Sequence, residues 1–335
     1  MSMSPNPVVI EVTRGPVVES RHEGIAAVVK ADGTVVASWG DIDAAILPRS
    51  ANKPIQAMAF VESGAVERFG LGDEHIALAC ASHNGEPRHV ETVRAWLKKI
   101  GLGEDDLECG THAPRLPQTV EALIRANAVP TPAFNNCSGK HSGFLSTAVQ
   151  YGEPTKGYIG YDHPVQRRLR DVMSDLCGAD AHAFRHGTDG CGIPTLATPL
   201  RILARAMASM ADPSRLSNKH AEAAARIRKA MNAEPFMVAG TGRFCTRING
   251  ALADVAEVKT GAEGVFCAML PTLGLGVALK IWDGAGRAAE VAMATLLDHL
   301  GVLPADQREE VLHPAISNVV GLLVGEMRPA KSWLG

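Results

Sequence analysis

The sequence lacks several features that would place it quickly in a class of proteins. It has no run of about 18 apolar residues, so no membrane-spanning helix is predicted. Aromatic residues make up only 4% of the chain, and no internal repeat or low-complexity segment occurs. The first seven residues have neither the basic flank nor the apolar stretch of a secretory signal. We therefore expect a cytoplasmic protein.

Neither sign of charge is in large excess. The chain of 335 residues has 33 Lys and Arg against 36 Asp and Glu, and its formal net charge at pH 7 is -3. Nucleic acids and anionic membranes attract strongly basic proteins, so neither is expected as a partner. The seven cysteines are an odd number spread through a long chain. This distribution does not suit a disulfide framework, and reduced thiols are expected.

Strand patterns lie near both ends of the chain, with mainly helical patterns between them. The predicted strands cover residues 7–12, 24–38, 76–80, 255–258, 264–270, 276–282 and 319–324. The predicted helices cover residues 51–61, 118–127, 140–151, 163–177, 195–210, 214–231 and 285–300, and another ends near residue 99. We expect one catalytic domain over residues 1–335 with an α+β fold. In it, residues of about 7–48 and 250–328 form an antiparallel sheet, and residues of about 50–245 form an inserted helical part.

Three short motifs that carry reactive side chains occur in order. They are Ser50-Ala51-Asn52-Lys53, Ser82-His83-Asn84 and Lys259-Thr260-Gly261. Residues i and i+3 share a helix face, so the Lys53 amine is expected to reach the Ser50 hydroxyl at the helix start. A lysine accepts the serine proton only if burial or a nearby cation lowers its pKa. Taken alone, the first motif is more typical of an ordinary helix start with a solvated lysine.

The same three motifs, in the same order, mark the serine acyl enzymes that recognise penicillin. The spacing differs here, because Ser82 follows Ser50 by only 32 residues and precedes Lys259 by 177 residues. This spacing does not suit a standard penicillin-binding domain.

The chain resembles the rhizobial-type L-asparaginases, also called the L-asparaginase II family, over almost its whole length. The matching segments are residues 9–15, 18–22, 48–54, 80–86, 136–141, 187–192, 240–243 and 259–264. The resemblance implies a fold similar to serine β-lactamases and glutaminases, and a homodimer. It also implies hydrolysis of L-asparagine to L-aspartate and ammonia.

The resemblance further implies two serine–lysine pairs in one pocket, Ser50 with Lys53 and Ser82 with Lys259. In the mechanism we favour, Lys53 accepts the Ser50 proton and Ser50 attacks the amide. Ser82 and Lys259 then relay a proton to the departing ammonia. Attack by Ser82 is the alternative. Two neighbouring lysines would lower the pKa of one of them by repulsion.

A zinc site is implied by the resemblance at Cys137, Lys140 and Cys191. Spacing alone would leave the two cysteines as ordinary loop residues, because no Cys-x2-Cys or His-x3-His pattern accompanies them. A lysine ligand must be neutral to donate its lone pair, and zinc beside two thiolates would enforce the loss of the proton. We expect this metal to support substrate binding.

L-asparagine also carries an α-carboxylate and an α-ammonium group, which call for a base and an acid in the pocket. Arg49 and Asp189 are the first candidates, with a surface ion pair and an Asx-turn as their alternative roles. His141 is a further candidate, or else a helix cap. Arg243 and Glu263 are weaker candidates in glycine-rich turns.

Two other functions remain open at this point. A glutaminase, or another serine–lysine amidase or peptidase, would use the same nucleophile. A non-enzymatic protein that binds zinc or a small molecule would not need two serine–lysine pairs.

Overall fold

The structure, a computed structural model, describes residues 6–334. The strands are β1 (Val8–Arg14), β2 (Val17–Lys30), β3 (Val35–Trp39), β4 (Ala45–Ile46), β5 (His186–Thr188), β6 (Pro194–Leu196), β7 (Thr198–Pro199), β8 (Glu257–Thr260), β9 (Val265–Leu270), β10 (Leu275–Ile281), β11 (Ala315–Ser317) and β12 (Leu323–Pro329). The helices are α1 (Lys53–Glu62), α2 (Ala65–Arg68), α3 (Asp73–Ala79), α4 (Pro87–Lys99), α5 (Pro117–Arg125), α6 (Ser138–Tyr151), α7 (Pro164–Cys177), α8 (Leu200–Ala211), α9 (Asn218–Ala233), α10 (Pro235–Ala239), α11 (Phe244–Ala251), α12 (Gly286–His299) and α13 (Arg308–Leu312).

The main sheet has eight strands and draws them from both ends of the chain. Its order is β11-β12-β1-β2-β10-β9-β8, with β3 paired to β2, and every pairing is antiparallel. The hairpin between β2 and β3 turns at Asp32-Gly33, as predicted. The α+β class and the antiparallel sheet built from both termini are therefore confirmed.

Helix α8 packs on the centre of this sheet, and the close approach explains a glycine in β10. A Cβ atom at Gly276 would lie 2.1 Å from the Ala204 carbonyl oxygen and 2.2 Å from the Ala208 nitrogen. Only a residue without a side chain allows the helix backbone so near to the strand. Helix α12 also packs against β10 and β9, and most other helices lie in the chain between β4 and β8.

Three of the predicted elements are corrected by the structure. The predicted strand at 76–80 is wrong, because α3 covers most of this run. A short apolar run cannot distinguish a buried strand from a buried helix, and here the run is enclosed by α6 and α9. The predicted strand at 319–324 falls largely on the turn before β12, and the helix predicted from 195 begins at Leu200.

No helix among residues 6–334 is long and apolar enough to cross a membrane. All seven cysteines lie within this range, and each has a free, buried thiol.

Candidate active site

Ser50 lies in a single 3-10 turn, Arg49–Asn52, which runs directly into α1. Arg49 has a φ of 51°, in the left-handed region that residues with a side chain rarely adopt. The end of β8 packs against this turn, since a Cβ atom at Gly261 would lie 2.7 Å from the Pro48 carbonyl oxygen. The first and third sequence motifs therefore meet in space.

Ser82 lies on the loop that follows α3, and two buried lysines converge on its hydroxyl. The Lys259 Nζ is 2.9 Å from the Ser82 Oγ, and the Lys53 Nζ is 3.2 Å from the same atom. Both lysines are 1% exposed, so the amines lie out of water. The three sequence motifs thus come together at one hydroxyl group.

The predicted contact between Lys53 and Ser50 is not present in this structure. Lys53 donates instead to Ser82 and to the carbonyl oxygens of Ala81 and Asn136. Among the hydrogen bonds of the described residues, none joins a lysine to the Ser50 hydroxyl. The i and i+3 spacing favours a contact between the two side chains. The Ala81 carbonyl, on the loop that carries Ser82, accepts a hydrogen bond from the Lys53 amine instead.

The surroundings of Lys259 favour its neutral form. Burial, followed by the charge of Lys53, lowers the pKa of Lys259 to about 7, and Arg243 adds to the shift. Near neutral pH, a large fraction of this amine therefore carries a free lone pair. It lies within hydrogen-bond distance of the Ser82 hydroxyl and can accept a proton from it.

The loop that carries Ser82 is fixed by a hydrogen-bond network. The Ser82 backbone N–H donates to the Val238 carbonyl, and Arg243 donates to the Ser82 carbonyl at 3.2 Å. Arg243 also donates to Asn84 Oδ1, and the Asn84 amide donates to Glu86. A network of this kind restricts where the Ser82 hydroxyl can lie.

Ser50 and Ser82 both line a cavity of about 660 Å³, within the usual size range of small-molecule sites. The cavity also has five charged residues in its lining: Arg115, Arg243, Arg287, Glu263 and Glu290. Of these, sequence reasoning had singled out only Arg243 and Glu263. Arg115 and Glu290 lie far from the recognisable motifs, so no local sequence signal could have found them.

Arg49 and Asp189, the first candidates for binding substrate charges, form a salt bridge with each other. The Arg49 Nε is 2.8 Å from Asp189 Oδ2. Burial opposes ionisation of Asp189, but Lys140 and Arg49 outweigh it and hold its pKa below the usual range. Neither residue is in the lining of the cavity that contains the two serines. The salt bridge pairs the charges of Arg49 and Asp189 with each other, away from this cavity.

His141, the other predicted substrate ligand, is fully buried and also lies outside that lining. Its Nδ1 is 2.7 Å from the Tyr158 hydroxyl, whereas Nε2 has no partner among the described residues. Burial lowers the pKa of His141 well below its usual value, so the ring is neutral.

Cys137, Lys140 and Cys191 come together in the interior, as a shared metal site requires. Cys137 precedes α6, Lys140 lies in its first turn, and Cys191 comes from the loop between β5 and β6. The Lys140 Nζ is 3.0 Å from the Cys191 Sγ, and the Cys137 thiol donates to Asn136 Oδ1 at 3.1 Å. All three residues are less than 5% exposed.

The donor chemistry of this cluster fits zinc, which prefers sulfur and nitrogen ligands. Among residues 6–334, no group of three or more His, Cys, Asp or Glu side chains is placed to hold a metal, and here the third donor is a lysine. Burial alone would lower the pKa of Lys140, but Cys137 and Cys191 outweigh it and raise that pKa. A metal would have to displace the amine proton.

Comparison with protein families decides the relationship. The family model described as L-asparaginase II matches residues 10–329. The chain belongs to the L-asparaginase II family. Its match spans all three motifs and both cysteines of the candidate metal cluster, and membership in this family makes the protein an amidohydrolase.

Similar solved structures include a beta-lactamase from Mycobacterium bovis, which is 12% identical and has a TM-score of 0.45, covering 89% of this chain and 97% of that one. The structure of Mglu in its native form is 16% identical with a TM-score of 0.48, and 84% of this chain is covered. This chain spans 66% of the length of Mglu. A search of curated proteins found no match.

Proposed function

We propose that this protein is an L-asparaginase, which hydrolyses the side-chain amide of L-asparagine to L-aspartate and ammonia. The observation that carries the proposal is the Ser82 hydroxyl, held by two buried lysine amines beside a cavity that Ser50 also lines. Family membership supports the choice of an amide as the bond that is broken.

In the proposed reaction, Ser50 is the nucleophile and Ser82 relays protons. Ser50 is partly exposed to the cavity and lies at a strained turn, where a side chain is held in a fixed direction. Its oxygen forms a bond to the amide carbon while its proton passes to the group formed by Lys53, Ser82 and Lys259. Lys259 is the base, because its pKa of about 7 leaves it partly neutral.

The tetrahedral intermediate then loses the amide nitrogen, which takes up a proton from the same group and leaves as ammonia. An aspartyl ester of Ser50 remains. A water molecule attacks this ester, its proton follows the same path to the base, and the Ser50 oxygen recovers a proton as L-aspartate leaves. Each half of the reaction returns the lysines to their starting protonation.

Attack by Ser82 is the alternative mechanism, and one observation favours it: Ser82, and not Ser50, contacts the lysine amines. L-glutamine is the alternative substrate. A cavity of about 660 Å³ does not exclude one additional methylene group by volume.

Cys137, Lys140 and Cys191 are the residues that would hold zinc. When bound, zinc would supply a fixed positive charge close to the serine–lysine group, and we propose that it supports substrate binding. Lys140 would lose its proton on binding, and the two thiols would become thiolates. We also propose the homodimer and the cytoplasmic location, which sedimentation and cell fractionation would test.

Ammonia release from L-asparagine and from L-glutamine, measured in parallel on the wild-type protein, tests the proposal. Turnover of asparagine in clear preference to glutamine is expected. Preference for glutamine would retain the serine–lysine chemistry and refute the substrate assignment. Release of ammonia from neither amide would refute both.

A further inference from the structure

Within the part of the chain that the structure describes, the charged residues that line the cavity form no salt bridges. Their side chains belong to Arg115, Arg243, Arg287, Glu263 and Glu290. Within residues 6–334, none of the five takes part in a salt bridge. Charges of both signs that face a cavity without partners are available to a ligand that carries both signs itself.

Among the three arginines of the lining, Arg243 has a side chain that is hydrogen-bonded to the loop that carries Ser82. One of its nitrogens donates to the Ser82 carbonyl at 3.2 Å and to Asn84 Oδ1 at 3.1 Å. The backbone of Arg115 is tied to the same loop, because its N–H donates to the Asn84 carbonyl at 2.8 Å. Burial and the charge of Arg115 both lower the pKa of Arg243, so two guanidinium groups lie within electrostatic range of each other. Glu290 partly offsets this repulsion, and the carboxylate of a ligand would offset it further.

Glu290, from α12, belongs to the same part of the lining. Burial raises the pKa of Glu290, while the charges of Arg243 and Arg115 oppose the rise. Its side chain is partly buried, whereas that of Glu263 is exposed. A carboxylate that is partly shielded from water attracts a cation more strongly than an exposed one.

We propose that Arg243, with Arg115 at the rim, binds the α-carboxylate of the substrate, and that Glu290 binds its α-ammonium group. The inference rests on the proposed function and assigns residues to the two charges of the substrate backbone. It assigns these charges to the cavity lining instead of to Arg49 and Asp189, which neutralise each other. An arginine fork matches the planar geometry of a carboxylate.

Substrates that lack one of the two charges test each half of the proposal. Succinamate is asparagine without the α-ammonium group, and 3-aminopropanamide is asparagine without the α-carboxylate. The ratio of kcat/KM for asparagine to that for each analogue is the readout. A substitution that disturbs the serine loop slows hydrolysis of asparagine and of the analogue alike, so this effect cancels in the ratio.

For Glu290→Gln, the preference for asparagine over succinamate should fall about 10- to 100-fold, since a charged hydrogen bond is lost only with asparagine. Its preference over 3-aminopropanamide should change little. Arg243→Lys should show the reverse pattern, with a fall in the preference over 3-aminopropanamide. Glu263→Gln and Arg287→Gln are matched controls from the same lining, and both ratios should stay within about twofold of the wild type.

Equal ratios in Glu290→Gln and the wild type would overturn the ammonium half, and equal ratios in Arg243→Lys would overturn the carboxylate half. Both results leave the proposed function standing if the wild type releases ammonia from asparagine.

If no amide is hydrolysed, calorimetric binding of L-aspartate and succinate decides the inference separately. Tighter binding of aspartate that disappears in Glu290→Gln supports the ammonium site, and equal binding to the wild type refutes it.

Discussion

Lys140 and Lys259 are both buried lysines, yet their surroundings drive their pKa values in opposite directions. Burial disfavours the charged amine at both positions. At Lys259, Lys53 and Arg243 add positive charge, and the pKa falls to about 7. At Lys140, the negative charge shared by Cys137, Cys191 and Asp189 outweighs burial and raises the pKa. Burial acts in the same direction at both lysines, so the charges of the neighbours decide the difference between them: cations help to leave Lys259 partly neutral, and anions keep Lys140 protonated.

The largest expected effect comes from removing the proposed nucleophile, Ser50, which lines the cavity together with Ser82. Ser50→Ala should lower kcat for asparagine by about 10⁴-fold or more, because no other group would form the ester. Steady-state ammonia release measures the loss, and circular dichroism checks the fold. Ser82→Ala is the matched serine variant and should retain more activity, since water can replace a relay. A residual rate in Ser50→Ala above that of Ser82→Ala would reverse the two roles.

A substitution at Lys140, in the candidate metal cluster, should affect metal binding. Lys140→Met removes the one nitrogen donor between Cys137 and Cys191, and zinc affinity should fall by about 100-fold. Competition with a chromophoric chelator measures it without any assay of activity. Lys280→Met, a lysine on the sheet that contacts backbone carbonyls, is the control and should keep the wild-type affinity. Unchanged affinity in Lys140→Met would remove the lysine from the proposed site.

The pH dependence of kcat/KM tests the base directly. Below pH 7, kcat/KM should fall about tenfold per pH unit, because Lys259 is protonated below its pKa and cannot accept a proton. Above pH 7 the profile should level off. Lys259→Met should be much slower and should lose the limb near pH 7. A wild-type profile that is flat between pH 5 and 8 contradicts the assignment of Lys259 as base.

The smallest expected effect concerns the salt bridge between Arg49 and Asp189, which lies beside the lysine with the raised pKa. If the pair is structural, Arg49→Gln and Asp189→Asn should show a coupling of about 1 kcal/mol in the free energy of unfolding. Chemical denaturation of both single variants and the double variant measures this coupling. Additive losses, with a raised KM for asparagine in each single variant, would return both residues to substrate binding.

The sequence was informative where periodicity and motifs coincide. The sheet from both termini followed from strand patterns and the Asp32-Gly33 turn, and the motifs at Ser82 and Lys259 indicated groups that the fold brings to 2.9 Å. The strand predicted at 76–80 was wrong because an apolar stretch of five residues has no detectable period. Its enclosure by other helices is a property of tertiary packing.

The details of the candidate site were less predictable. Helix geometry allowed Lys53 to reach Ser50, but the Ala81 carbonyl on a distant segment competes for the amine. Arg49 and Asp189 were assigned separately to substrate charges, and only the folded chain shows that they pair. Glu290 and Arg115 reach the cavity from α12 and from the loop before α5, and no local pattern records that approach.

Covalent labelling tests the central claim of the account most directly. An asparagine analogue with a diazoketone in place of the side-chain amide would alkylate the nucleophile, and peptide mapping by mass spectrometry would locate the label. The account predicts one label on Ser50, blocked by excess L-aspartate and absent from Ser50→Ala. A label on Ser82 in the wild-type protein, retained in Ser50→Ala, would contradict it.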